Sequence, residues 1–334
     1  MKKTILALAI AAVSTSAFAV QTNSENSKPM FEFDSMQKDQ FSVSGSWGLG
    51  GYYDTETKAI YDDWATGLTV AVNYKNNRWI GYFETDLMMN YSSDEQAKDI
   101  QSGPATDVDK AWLGFDTGVG VASFGWENDT ALDKVDGAGD MTYEFGASAG
   151  DASDAFNVVK FEGATSGIAY GISAFDTDDN REKGEMGYNG YVGVEQDMFN
   201  IYAGYEARED SDYTVTSLSG NVTLDKLKLG LNAWIDDGEV GVAKSDQKLT
   251  GFYGSAAYGL TDQLTVAAGY ANNSTDNSTK YNGIDFDSSY VNVAAMYTYS
   301  EKVDMGIDIR QVLDTGIDTV DEETSVFAAA YYYF

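Results

Sequence analysis

The sequence predicts an all-β fold, a 16-stranded antiparallel transmembrane β-barrel. Three observations predict it. Apolar residues recur at period two along most of the chain, and the connections between the alternating segments are short and long in turn. After the first 19 residues, no stretch approaches the run of roughly 18 apolar residues that a spanning helix needs.

The chain of 334 residues opens with Lys2 and Lys3, the apolar run Ile5 to Val13, and the small-x-small site Ala17-Phe18-Ala19. This reads as a secretory signal peptide over 1–19, cleaved after Ala19, and it is too short and wrongly flanked for a membrane span. A mostly polar segment over 20–39 separates it from the barrel, 40–334.

The first clear strand is Gln40 to Tyr53. Phe41, Val43, Trp47, Leu49 and Tyr53 take one face, and Gln40, Ser42, Ser44 and Ser46 the other. The pattern returns after Asp225, with Leu227, Leu229, Leu231, Ala233 and Ile235 against Lys226, Lys228, Gly230, Asn232 and Trp234. A lysine facing lipid near the midplane costs about 2–4 kcal/mol, so the polar set must face water. The same reading places strands at 40–53, 63–75, 77–91, 107–117, 119–127, 155–165, 167–176, 186–196, 198–208, 213–225, 227–237, 247–259, 263–273, 287–299, 303–313 and 325–334. Sixteen is an even number, as single-chain bacterial barrels have. Short turns fall at Asn76, Gly118, Ser166, Asp197, Lys226, Thr261-Asp262 and Glu301-Lys302. Longer, mostly acidic loops fall at 54–62, 92–106, 128–154, 177–185, 209–212, 238–246, 274–286 and 314–324.

Composition sets the chemistry. The chain has no histidine and no cysteine, which removes the Ser-His-Asp triad, the Cys-His pair and every His-ligated metal site. No enzymatic activity, metal or cofactor is therefore expected. Asp176-Thr177-Asp178-Asp179 begins like a calcium loop but lacks its sixth-position glycine and closing glutamate. The two prolines, Pro29 and Pro104, fall outside the proposed strands, as a β ladder requires. Abundant glycine (34) and tyrosine (23) suit tight turns and aromatic girdles. A formal net charge of −32 argues against nucleic acid and anionic membrane surfaces as partners, and suits a protein that handles cations.

The last strand carries Val326, Ala328, Ala330, Tyr332 and Phe334 on one face, all able to meet lipid. A secreted chain ending on such a strand resembles the bacterial outer-membrane β-barrels. In those proteins the terminal Phe, here Phe334 with Tyr332, is the mark read by the barrel-assembly machinery. The longest loop, 128–154, narrows the resemblance. It contains Asp140-Met141-Thr142-Tyr143-Glu144-Phe145-Gly146, with Asp151 and Asp154 following, and is preceded by Lys110-Ala111-Trp112-Leu113-Gly114-Phe115 and the strand Val121 to Trp126. This is similar to the third loop of the Gram-negative general diffusion porins, which folds inward and constricts the pore.

The resemblance implies a trimeric outer-membrane channel for small hydrophilic solutes, contacting lipopolysaccharide and lipid. By it, Asp140 and Glu144 form the acidic half of the constriction, with Asp151 and Asp154 as further members. In some relatives a segment like 20–39 threads into the lumen, and a disordered terminus is the alternative. The chain departs from the family on the opposite wall, where arginines are expected. Ser46, Gly67 and Trp112 stand at those positions, and only Lys110 and Lys160 fall near them with inward parity. The pore is therefore expected to select cations. Inward charges elsewhere are Glu84 and Asp86, Glu206 with Arg208, and Asp304 and Asp308 with Arg310. The last two groups are expected to be lumen salt bridges. Two other functions stay open. Inward Tyr202, Trp234, Tyr290 and Tyr331 would suit a sugar-stacking track, making an oligosaccharide-specific channel, and the acidic loops would suit a surface adhesion barrel.

Overall fold

The computed structural model describes residues 39–127, 129–152, 155–177, 184–240 and 245–334. The expected leader with Ala17 and Ala19, the segment 20–38, and Asp154 lie outside the described residues. No helix among the described residues is long and apolar enough to cross a membrane.

The strands are β1 (Gln40–Asp54), β2 (Ile60–Asp62), β3 (Gly67–Asn76), β4 (Trp79–Ser92), β5 (Gly103–Asp116), β6 (Val121–Glu127), β7 (Phe156–Thr165), β8 (Ile168–Asp176) and β9 (Met186–Glu195). They continue as β10 (Phe199–Arg208), β11 (Thr214–Leu224), β12 (Leu227–Val240), β13 (Ser245–Gly259), β14 (Leu264–Ser278), β15 (Ile284–Ser300), β16 (Val303–Asp314) and β17 (Thr324–Tyr333). Each long strand pairs antiparallel with its neighbours, and β1 pairs with β17 from Ser46↔Tyr333 to Asp54↔Ser325, which closes a 16-stranded barrel. Closure leaves no open edge, as a structure in lipid requires.

The three-residue β2 is an extra. It falls in the expected loop 54–62, and the expected strand 63–75 starts only at Gly67 because Asp62 turns its carboxylate onto the amides of Trp64, Ala65 and Thr66, at 3.2, 2.8 and 2.6 Å. That bend parts β2, which pairs with β1 and β4, from β3. A second correction concerns Pro104, which lies inside β5 opposite Met89. It is the second residue of that strand, near the loop end, where a missing N–H is tolerated. A third concerns loop length. The ladders of β12 to β15 run past the expected ends at 238–246 and 274–286. There both faces are wet, so alternation stops before pairing does.

Facing follows the pleat. Phe41, Leu49, Ile172 and Val192 stand outward and highly exposed, as the lipid-facing side of a membrane barrel would be. Outward Trp79, Phe199, Tyr258, Tyr299 and Tyr332 ring the short-turn end, and Tyr53, Tyr188 and Tyr205 the long-loop end. Two such rings are what the resemblance to outer-membrane barrels leads one to expect. In β5 a bulge between Glu84↔Lys110 and Thr85↔Val108 shifts the pleat, so Asp107 shares the inward face with Lys110 while Val108 turns out. At Ser166-Gly167 both residues have positive φ, 52° and 77°, the backbone of a two-residue primed hairpin turn.

Candidate functional site in the barrel lumen

The loop between β6 and β7 folds into the barrel and lies along the inner wall. It starts with a 3₁₀ turn, Ala131–Lys134, seated on β8, β9 and β10. It then crosses β12 and β13 and reaches β16, β17 and β1 before returning. Its backbone is held by wall side chains. Ser173 and Asn189 accept from the amides of Ala131 and Leu132 at 3.0 and 3.3 Å. Asn232 accepts from Gly139 at 2.7 Å and donates to the Ala147 carbonyl at 2.9 Å. Ser255 accepts from the Met141 amide and donates to the Gly139 carbonyl. One oxygen of Asp308 accepts from three successive amides, Tyr143, Glu144 and Phe145, at 3.2, 2.9 and 3.1 Å. On the return, Asp236 accepts from Gly150 and Glu206 from Ala152, each at 3.0 Å.

Sequence permits this close approach. The loop is rich in Gly and Ala, and at Gly230 a Cβ would sit 2.1 Å from the Gly139 carbonyl oxygen. Apolar anchors add to the grip. Leu132 and Val135 pack with Tyr191, Tyr202, Val215 and Trp234, while Tyr143 and Phe145 pack with Tyr52, Phe327 and Tyr331. Fully burying such a side chain contributes about 1.5–3 kcal/mol.

The expected constriction residues distribute as follows. Asp140 sits at the middle of the loop, accepting from the Thr142 amide and hydroxyl at 2.8 and 2.7 Å, and its carboxylate packs on Gly146. Burial pushes it up to about 6, with the Thr142 contacts pulling the other way. Glu144 is buried and accepts from the Tyr52 hydroxyl. Asp151 is buried on the return leg, and one of its oxygens has no hydrogen-bond partner among the described residues. Burial and the nearby Asp136 and Asp133 hold Asp151 well above the usual carboxylate range. Burial also raises Asp136, to about 6, and Asp133. Sequence reasoning missed Asp133 and Asp136, although both lie in the acidic loop it singled out.

The two lysines meet at the loop's entrance. Lys110 pairs with the Asp129 carboxylate, and Lys160 donates to the Asp129 carbonyl at 3.1 Å with Glu162 3.9 Å away. Glu206 and Arg208 form the expected salt bridge, at 2.8 Å. The expected Asp308–Arg310 pairing gives way to another arrangement. Asp308 caps loop amides, and Arg310 pairs with Glu323 at 2.6 Å while lying over the Phe145 ring. The aromatics proposed as a stacking track, Tyr202, Trp234 and Tyr331, are buried beneath the loop, and Tyr290 donates to the Phe145 carbonyl.

The inward faces of β1, β3, β4 and β5 are less covered. Ser42, Ser44 and Asp107 are exposed, and Ser46, Thr69, Tyr82, Glu84, Asp86 and Trp112 are half-buried. Thr69 donates to Asp86 at 2.5 Å, Tyr82 donates to Glu84, and Tyr82 stacks with Trp112. Open lumen is thus left between the loop and a wall of hydroxyls, carboxylates and two stacked rings.

Comparison with known proteins agrees with this architecture. No curated protein matches the chain. Among solved structures, the trimer form of OmpT from Vibrio cholerae matches at 16% identity over 89% of this chain and 100% of that one, with a TM-score of 0.66. The OmpF of Salmonella typhi in complex with daunomycin matches at 15% identity over 89% and 98%, with a TM-score of 0.70. A sequence profile of the Gram-negative porins matches residues 6–316. With a closed 16-stranded barrel and that match over nearly its full length, the chain belongs to the Gram-negative porin family and is an outer-membrane porin.

Proposed function

We propose that this porin is a passive, cation-selective channel for small hydrophilic solutes and that it works as a homotrimer, with no covalent step. The observation that carries the selectivity is the wall facing the loop. Where arginines would set up a field across the pore, this chain has Ser46, Gly67 and Trp112, with Glu84 and Asp86 beside them. The nearest lysines, Lys110 and Lys160, are engaged at Asp129. In a narrow pore with low-dielectric walls, carboxylates without a facing cationic cluster concentrate cations and repel anions.

Asp140 and Glu144 are the constriction residues of this reading, with Asp151 and Asp154 as its further members. The trimer rests on family membership and on the trimer form of the Vibrio cholerae relative. Tyr332, exposed on the outward face of β17, and Phe334, exposed just beyond its end, suit the role of assembly signal. Partners beyond the protein itself are the assembly machinery, lipopolysaccharide and the surrounding lipid. Burial of Trp234, Tyr202 and Tyr331 under the loop weighs against an oligosaccharide track.

The test is the reversal potential of the refolded protein in a planar bilayer under a KCl gradient. A cation-selective value is expected, moving toward zero in the double variant Asp140→Asn/Glu144→Gln. Anion selectivity of the unaltered protein would overturn the reading.

A further inference from the structure

The wall that the loop leaves open carries an aromatic shelf. Trp112 of β5 and Tyr82 of β4 stand opposite each other in the ladder, point into the lumen and are half-buried. Their rings stack, with centroids 5.8 Å apart and planes at 26°. The indole rests over Gly114, where a Cβ would meet its ring at 3.0 Å. The shelf therefore hugs the wall and keeps part of its surface toward the passage.

Charge around the shelf is uneven along the pore. Toward the long-loop end come Glu84, the next inward residue of β4 and the acceptor of the Tyr82 hydroxyl, and then Asp86. Asp107 and Asp109 of β5 lie on the same side, Asp109 beside Glu84. The cation there is Lys110, opposite Glu84, and it is bound to Asp129, which also holds Lys160. Toward the short-turn end, Asn73 of β3 stands opposite Tyr82, and the exposed Lys75 is the next inward residue after it. Asp116 lies on that side too, but it is buried and accepts from the Gly118 amide at 2.7 Å. An ammonium group at the shelf is thus drawn toward Glu84 and away from Lys75. Successive inward residues of a strand are about 7 Å apart, within reach of an aromatic amine on a short alkyl tether.

We propose that this shelf is a binding site for arylalkylammonium ions in transit, with the ring on Trp112 and Tyr82 and the ammonium group at Glu84. A flat ring gains contact and quadrupole complementarity on the shelf that an aliphatic chain does not. The electron-rich faces of Trp and Tyr also attract the positive charge. The inference rests on the passive-channel reading and gives that channel a preferred class of cation.

The experiment is block of the KCl current in a planar bilayer by phenethylammonium, with butylammonium and phenethyl alcohol as comparison probes. Saturable block by phenethylammonium is expected, half-complete at a concentration about three- to tenfold below that of either comparison probe. Trp112→Leu should bring phenethylammonium to the level of butylammonium, and Trp112→Phe should keep part of the difference. Equal block by the two ammonium ions, or no saturable block at all, overturns the proposal without reference to any variant. The reversal potential in the same membranes reads selectivity separately. An anion-selective protein that still prefers the aryl cation loses only the selectivity reading, and a cation-selective one that treats both ammonium ions alike loses only this site. Saturation-transfer NMR on the folded protein in detergent reads the ring contact without current. Transfer to the phenethyl ring no stronger than to the butyl chain counts against the site even where no current flows.

Discussion

Asp308 serves three successive amides of the folded-in loop with one oxygen, and Asn292 holds that carboxylate in place from the neighbouring strand at 3.1 Å. Replacing it with alanine leaves buried donors unpaired, each worth roughly 1–3 kcal/mol. Asp308→Ala should therefore free the stretch around 143–145, giving noisier and larger single-channel steps and a lower melting temperature. Asp308→Asn keeps an acceptor and should behave close to the unaltered protein. Protonation acts at the same scale. Burial raises Asp136 and Asp140 to about 6, so both are neutral at pH 5 and charged above pH 7. In the unfolded chain they titrate near the ordinary carboxylate value of about 4. Between those values the folded state holds more protons, so their contribution to seating the loop is complete below about pH 4 and is lost as pH rises through 6. Cation preference should run the other way, rising between pH 5 and 7, and the reversal potential measured across that range should flatten in Asp136→Asn/Asp140→Asn. The inward course of the loop that carries Asp140 and Glu144 was legible from the motif around them. Asp308 as the clamp was not, because it meets Glu144 across 164 positions of sequence and no local pattern encodes that meeting.

Strands obey the pleat where one face is lipid and the other water, and there alternation locates every long strand to within a few residues. It fails for physical reasons at three places. Asp62 delays the start of the second expected strand to Gly67, a bulge beside Lys110 resets the inward face of β5, and the β12–β15 ladders continue where both faces are wet. The folded-in loop is the element whose path was least legible, since its wall contacts are made by residues far apart in sequence. Its course depends on gaps in the wall as much as on hydrogen bonds. Gly230 makes room for the loop backbone at Gly139, and Gly306 for the Tyr143 ring. A side chain added in Gly230→Leu would meet loop backbone rather than a flexible tip. The expected result is a displaced loop in an intact barrel, seen as altered single-channel conductance with unchanged far-ultraviolet circular dichroism.

At the scale of the whole molecule, the lumen is divided along its length. The loop covers the wall from β8 to β17, and the passage is left to the side built by β1 and β3 to β5. Acidic residues follow the same division, with buried Asp133 and Asp151 and half-buried Asp136 on the covered side and Glu84 and Asp86 on the open one. The manner of seating has a further consequence. Ser173, Asn189, Asn232, Ser255, Asp236, Glu206 and Asp308 grip amide groups of the loop, and every amino acid except proline supplies an amide. The wall thus reads the loop's backbone more than its side chains. Substitutions along the loop can change what the passage admits while leaving the loop where it lies, so a lineage of such channels is free to explore new permeants without first having to invent a new fold.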